Sequence, residues 1–239
     1  MKLRNILLAG GAAGLAVVIG AGVWLAYSLD SLLKSAIETY GPEITGVSVK
    51  VGSVNLSPRS GHGSIKNLRL GNPKGYKADK ALALGEISIT LDPASLARDV
   101  ILIKEIVVSG ANINYEKPGS IANLDVIQRN VEAYTRKFGG SKPAADSPQK
   151  KMIIDNLYIR NSRVSLASVL TAGTPVTTTL PDIHLRDVRK RTNGATAGQV
   201  TQQVMGALTA STTRAAASAL RGVGKSAGGA VDSVRGLFR

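Results

Sequence analysis

Cysteine is absent from this chain of 239 residues, so neither a disulfide frame nor thiol chemistry is available to it. That absence permits an oxidising compartment without requiring one. Histidine occurs twice, and a metal site needs three or four clustered ligands that two histidines and no cysteine do not supply. Neither histidine is placed for catalysis. His62 lies between Gly61 and Gly63 in a turn, and His184 sits two residues after Asp182 in an outward-facing slot. No G-x-S-x-G elbow, H-E-x-x-H helix or phosphate-binding loop occurs. Aromatic residues make up 4% of the chain. The expectation is a protein that is not an enzyme, with no catalytic residue, no metal and no cofactor.

What is abundant is a short apolar pattern. An apolar residue, two small, polar or turn-prone residues, a second apolar residue, any residue and a third apolar residue recur six times. The copies are VGSVNL (Val51, Val54, Leu56), IKNLRL (Ile65, Leu68, Leu70), LGEISI (Leu84, Ile87, Ile89), IKEIVV (Ile103, Ile106, Val108), IDNLYI (Ile154, Leu157, Ile159) and LPDIHL (Leu180, Ile183, Leu185). Copies two to four start 19 residues apart, which marks a repeated structural unit. In a plain strand residues i and i+3 face opposite sides. One bulged residue between them restores a common face, and Gly, Asn, Asp, Glu and Pro stand where that kink would fall. A helix would also bring i and i+3 together, but Gly71-Asn72-Pro73, Asp92-Pro93 and Ser109-Gly110 punctuate the repeats at strand-and-turn spacing. The reading is a curved antiparallel sheet, apolar on one side only. Glu86, Glu105, Asp155 and Asp182 recur at equivalent kink positions, which marks them as outward or bulge residues.

Ile6 to Leu29 carries no charge. At ~1.5 Å per residue the run spans the ~30 Å hydrocarbon core of a bilayer. Lys2 and Arg4 before it and Asp30 after it keep the N-terminus cytoplasmic, and Trp24 and Tyr27 suit the far interface. A cleaved signal peptide would have a shorter apolar core and an A-x-A-like site, which Tyr27-Ser28-Leu29-Asp30 lacks. Residues 1–30 therefore read as a retained transmembrane anchor, and 31–191 as a β domain beyond the membrane.

Within that domain Asn123 can cap a helix over 123–138 whose stripe is Leu124, Ile127, Val131, Tyr134 and Phe138, with Asp125 in its first turn. Gly139-Gly140 end it, and 139–150 reads as a linker. Residues 192–239 form a basic helical tail, where Gly222, Gly224, Gly228 and Gly229 are expected to break the helix in two. Half of the net charge of +14 lies from Arg186 onward. Arg214, Arg221, Lys225, Arg235 and Arg239 fall on a common side and point to an anionic membrane surface, with capping of the sheet as the alternative.

The order of these segments resembles the AsmA-like proteins of the bacterial envelope. The resemblance runs from the anchor through GVSVKVGSVNLSPRSGHGSIKNLRLGNPKGY, LGEISITLDPASL, IKEIVVSGANINYE, NLDVIQRNVEAY and IDNLYIRNSRVSL to LPDIHLRDV, to about Val188. It is closest to the short members with the N-terminal AsmA-like portion alone. The resemblance implies an inner-membrane protein with a periplasmic apolar groove that handles phospholipid acyl chains and contributes to outer membrane biogenesis. It implies lipid as the partner, with no nucleic acid. Six to nine strands at ~4.8 Å give a groove of about 30–45 Å, too short to bridge two membranes unaided. Stacking with copies or partners, or a local role at one membrane, follows. The alternative is a non-enzymatic scaffold or accessory subunit of a membrane complex, with a dry core.

Overall fold

The computed structural model describes residues 29–138, 151–168, 176–188 and 194–236, with the side chains of the last helix described through Gly222. Residues 29–45 form helix α1. A single mixed sheet follows, comprising β1 (Val49–Lys50), β2 (Ser53–Ser57), β3 (His62–Gly71), β4 (Lys80–Leu91), β5 (Val100–Ser109), β6 (Asn112–Lys117), β7 (Lys151–Arg160), β8 (Ser162–Ser168), β9 (Val176–Leu180) and β10 (Ile183–Val188). Helix α2 (Asn123–Phe138) lies between β6 and β7, and α3 (Ala197–Gly236) closes the chain. Among the described residues no helix is long and apolar enough to cross a membrane. The run Ile6–Leu29 lies outside the described residues apart from its last one.

The ten strands occupy six lanes. β5 and β6 lie end to end along one edge of β4, β7 and β8 run beside them, and β10 and β9 flank that pair. β1 and β2 share the lane on the other side of β3. The strands are mostly antiparallel, but β5 pairs β7 and β6 pairs β8 in parallel. This corrects the expected antiparallel sheet. A parallel pair needs a crossover of a dozen or more residues. The segment from α2 to Lys151 supplies it, returning the chain to the end where β5 began.

Polar residues and glycines, inside four of the repeats and just after the fourth and fifth, kink the strands, and the kinks align. Asn67 (φ 55°) interrupts β3, opposite Gly52 on one side and Gly85 on the other. Gly110 (φ 69°) separates β5 from β6, Asn161 (φ 54°) separates β7 from β8, and Pro181-Asp182 separates β9 from β10. The Gly110 amide donates to the Arg160 carbonyl, and the Arg163 amide to that of Ala111. Positive φ favours glycine and tolerates asparagine, which explains why these residue types stand there. A single crease thus crosses all six lanes. A second, shorter one passes Lys104-Glu105, Asp155-Asn156 and Asp187 (φ 48°), where Leu185 and Val188 keep a common face three residues apart.

Helix α2 buries its stripe on β6 and α3: Leu124, Ile127 and Val131 are fully enclosed. Each such side chain contributes about 1.5–3 kcal/mol relative to exposure. Asn123 opens the helix, its Oδ1 accepting from the Leu124 and Glu116 amides. Helix α3 is continuous to Gly236 and is not broken at Gly222, Gly224, Gly228 or Gly229, against expectation. Its first half is anchored by Met205, Leu208 and Ala216, which join the sheet's core. Extending a helix already nucleated costs only about 1 kcal/mol per glycine.

A candidate apolar ligand site

The repeat residues form rows that cross the sheet. Strand register places Val54, Ile65, Ile87, Val108, Ile159 and Ile183 in one row. Leu56, Ile89, Ile106, Leu157 and Leu185 form the next, with Gly63 opposite Leu56 and Ile89. Ile103, Ile154 and Val188 form a third with Leu91. Across the crease Leu68 faces Leu84, and Leu70 faces Leu82. Seventeen of the eighteen repeat residues singled out above are accounted for by these rows and by Val51, buried beside β1. Leu180 is the exception. It ends β9 and pairs Ser162, so the sixth repeat straddles two strands and Leu180 lies in the closed half of the core.

Burial divides the rows. Ile154, Leu157, Ile159 and Val188 on the β7–β10 side are buried. Val54, Leu56, Ile65, Ile87, Ile89, Ile103 and Ile106 on β2 to β5 remain half-buried. Past the crease, where Leu68 and Leu84 continue the line, a cavity of about 250 Å³ opens under the helices. Its floor is Val49, Leu70, Leu82, Val108, Ala111 and Ile159. Gly41, Ile44 and Thr45 of α1 form one wall, and Val200, Val204, Met205 and Leu208 of α3 form another. Thr45 Oγ1 already donates to the Gly41 carbonyl at 2.7 Å, so the lining is apolar in effect.

The α1 and α3 walls are the part that the repeats did not reveal. Val200, Val204 and Leu208 stood at helical spacing in the sequence, but nothing there placed them against Leu68 and Leu84. α1 is held by a polar ladder to the edge lane. The Leu56 amide donates to Asp30 Oδ1 (2.8 Å), Lys34 Nζ donates to the Gly52 carbonyl (3.1 Å) and the Val51 amide donates to Glu38 Oε1 (2.9 Å). The spacing i, i+4, i+8 places all three on one helix face, a signal legible in principle. α1 therefore runs antiparallel to β2, starting beside Leu56 and ending at the cavity.

A second buried feature also went unforeseen. Glu116 accepts from the Lys77 amide (2.7 Å), the Ala78 amide (2.8 Å) and Asn72 Nδ2, while Asn123 Nδ2 donates to Asn72 Oδ1 (2.9 Å) and to the Asn114 carbonyl. This network ties the loop after β3 to the start of α2 and is fully occupied by protein groups. Above it, the Tyr76 phenol is raised in pKa by burial and then by the nearby Asp125 and Glu116 charges, and it donates to the Ile121 carbonyl.

The histidines are engaged elsewhere. His184 stacks on Tyr158 at 4.1 Å with its Nε2 against Asn156 Oδ1 (2.9 Å), Arg186 Nε donates to its Nδ1, and the Arg160 guanidinium lies over Tyr158. The His62 ring nitrogen Nδ1 lies 3.4 Å from Thr90 Oγ1, on the exposed surface. Among the described residues no three histidine, aspartate or glutamate side chains cluster as a metal site would. Of the basic residues singled out in the tail, Arg214 and Arg221 are exposed, and Arg214 borders a crevice of about 660 Å³ between β9–β10 and α3. The side chains of Lys225, Arg235 and Arg239 lie outside the described residues. α3 up to Ala219 packs on the core, so this part of the tail covers the sheet.

Comparison with protein-family models and with curated proteins finds no match to this chain.

Proposed function

We propose that this chain is a non-enzymatic AsmA-like protein of the bacterial envelope that holds phospholipid acyl chains on the apolar face of its sheet. In this reading Ile6–Leu29 anchors it in the inner membrane with the N-terminus cytoplasmic and the bulk periplasmic, and the protein assists lipid traffic in envelope assembly, alone or with copies or partners. The observation that carries the reading is the set of half-buried rows. Seven Val, Leu and Ile side chains on four adjacent strands stay partly open, next to a mostly apolar cavity whose two hydroxyls, Thr45 and Thr201, are bonded to backbone carbonyls. A surface of that kind is costly to leave in water and is matched by hydrocarbon.

The test is extraction of the full chain under mild conditions, followed by mass spectrometry of co-purifying lipid. Ile89→Ser should lower bound phospholipid more than it lowers the melting temperature. Absence of lipid in the wild type, or unchanged lipid in a folded Ile89→Ser protein, would favour a scaffold role. One observation supports that second reading: the core between α2 and the sheet is closed, with Leu124, Ile113 and Val164 at most 1% exposed, as a purely structural sheet requires.

A further inference from the structure

The lipid reading leaves open how a chain would lie, whether across the strands, as through a conduit, or along them. The distribution of cover decides this. At the level of Leu56, Ile89 and Ile106 the β2–β5 part of the row is half-buried, while Leu157 in the same row and Leu91 beyond it on β4 are buried, and this is where α1 begins. At the level of Leu70, Leu82 and Ala111 the same face is buried beneath the end of α1 and the first turns of α3. Openness therefore changes along the strand direction. On β4 the face is open from Leu84 to Ile89, bounded by buried Leu91 on one side and by buried Leu82 under the helices on the other, so the opening lies beside Leu56 and Ile89 and the closed end under α1 and α3.

We infer that the cavity is a socket for the terminal part of a single acyl chain, which is admitted tail-first from the α1-start end and lies along β4. This rests on the lipid reading and specifies it. From Ile89 to Leu82 the strand advances about 23 Å, at ~3.3 Å per residue. That exceeds the ~15 Å that one leaflet contributes to a ~30 Å core, so the track accommodates a complete extended chain. The cavity's 250 Å³ is larger than the ~150 Å³ of an apolar engineered cavity that stays dry and takes up benzene. It is filled by one chain end and is too small for two chains with their headgroup. The two lining hydroxyls are already committed, Thr45 to the Gly41 carbonyl and Thr201 to that of Ala197, so neither has a proton left to donate to water. The polar headgroup stays at the mouth, beside the residue where the uncharged run Ile6–Leu29 enters α1. The protein then holds one lipid by one tail.

The experiment uses the full chain in amphipol and saturated fatty acids of graded length, from eight to twenty carbons, displacing a fluorescent fatty acid. The Kd should fall about two- to fourfold per added methylene. It should then stop falling at about sixteen to eighteen carbons, as expected for a ~23 Å track at about 1.3 Å per carbon. Val204→Phe fills the blind end from α3 and should move the break several carbons shorter, and Leu84→Phe should do the same from the sheet. A Kd that keeps falling through the longest chain, or a break that neither substitution moves, overturns the socket while leaving acyl-chain binding intact. Should both variants fail to fold, the wild-type length profile still decides. No displacement at any length removes the lipid reading and the socket with it.

Discussion

The apolar face has the same chemistry on the two sides of the crease and reaches different ends. Beyond it, Leu82, Ile113, Val164, Leu166 and Leu180 lie under α2 and α3 with at most 3% of their surface exposed. Before it, Ile65, Ile87, Ile89 and Ile106 have the same chemistry and spacing but only partial cover. The pattern fixes which face is apolar, and the helices decide which part of that face becomes core and which part stays accessible. An apolar strand face is therefore no sign of a ligand site until its cover is known.

Substitutions can test how deep this difference goes. Removing side chain from the covered side should cost most: Ile127→Ala or Ile113→Ala is expected to destabilise by about 2–5 kcal/mol in urea unfolding. Ile89→Ala, on the open side, should cost about 1 kcal/mol or less. Equal losses would mean that the open rows are covered in the folded protein. Next in size, Glu116→Ala strands two part-buried amides and the Asn72 amide, with an expected loss of about 1–3 kcal/mol and early proteolysis in the 72–79 loop. Asp30→Ala and Glu38→Ala each free one edge amide, at about 1 kcal/mol apiece. Sedimentation of the double variant should show self-association through the uncovered β2 lane, whereas a monomeric double variant would mean that the α1 backbone alone shields it.

The smallest effect is a pH effect at Tyr76. Its phenol is raised in pKa on folding, so its stabilising contribution is complete below the unfolded value near 10 and declines as pH rises through the folded value. Ultraviolet titration should place Tyr76 above the usual phenol value, and Tyr76→Phe should flatten the stability curve above pH ~10.

The strand content, the kinks at Gly52, Asn67, Gly85 and Pro181-Asp182 and the α2 stripe were legible because each rests on local spacing, whereas the breaks at Gly110 and Asn161 fall just after the fourth and fifth repeats, outside the pattern. Asn67 and Gly85 announce themselves as breaks within an apolar run, and Leu124, Ile127 and Val131 show a helical period. The parallel pairs were not legible. They depend on where α2 returns the chain, and no residue in β5 or β7 encodes that. The α3 continuity was also missed, because local glycine penalties are small beside docking of Met205 and Leu208 on a sheet formed by distant residues. The cavity required three segments at once. Ile44, Leu84 and Val204 are far apart in sequence and carry no shared signal.

The crease imposes a rule on chain length. Six separate breaks, from Gly52 to Pro181-Asp182, must arrive at one line, so each lane's residue count on either side is tied to that of its neighbours. An insertion or deletion within a strand would put that lane out of phase with the other five and turn its apolar residues to the wrong face. The same change in the turns at 58–61, 72–79 or 92–99 would leave the line intact. Variation in length among descendants of this chain should therefore be concentrated in those turns, and the distances within the strands from the crease should be conserved as strictly as a reading frame.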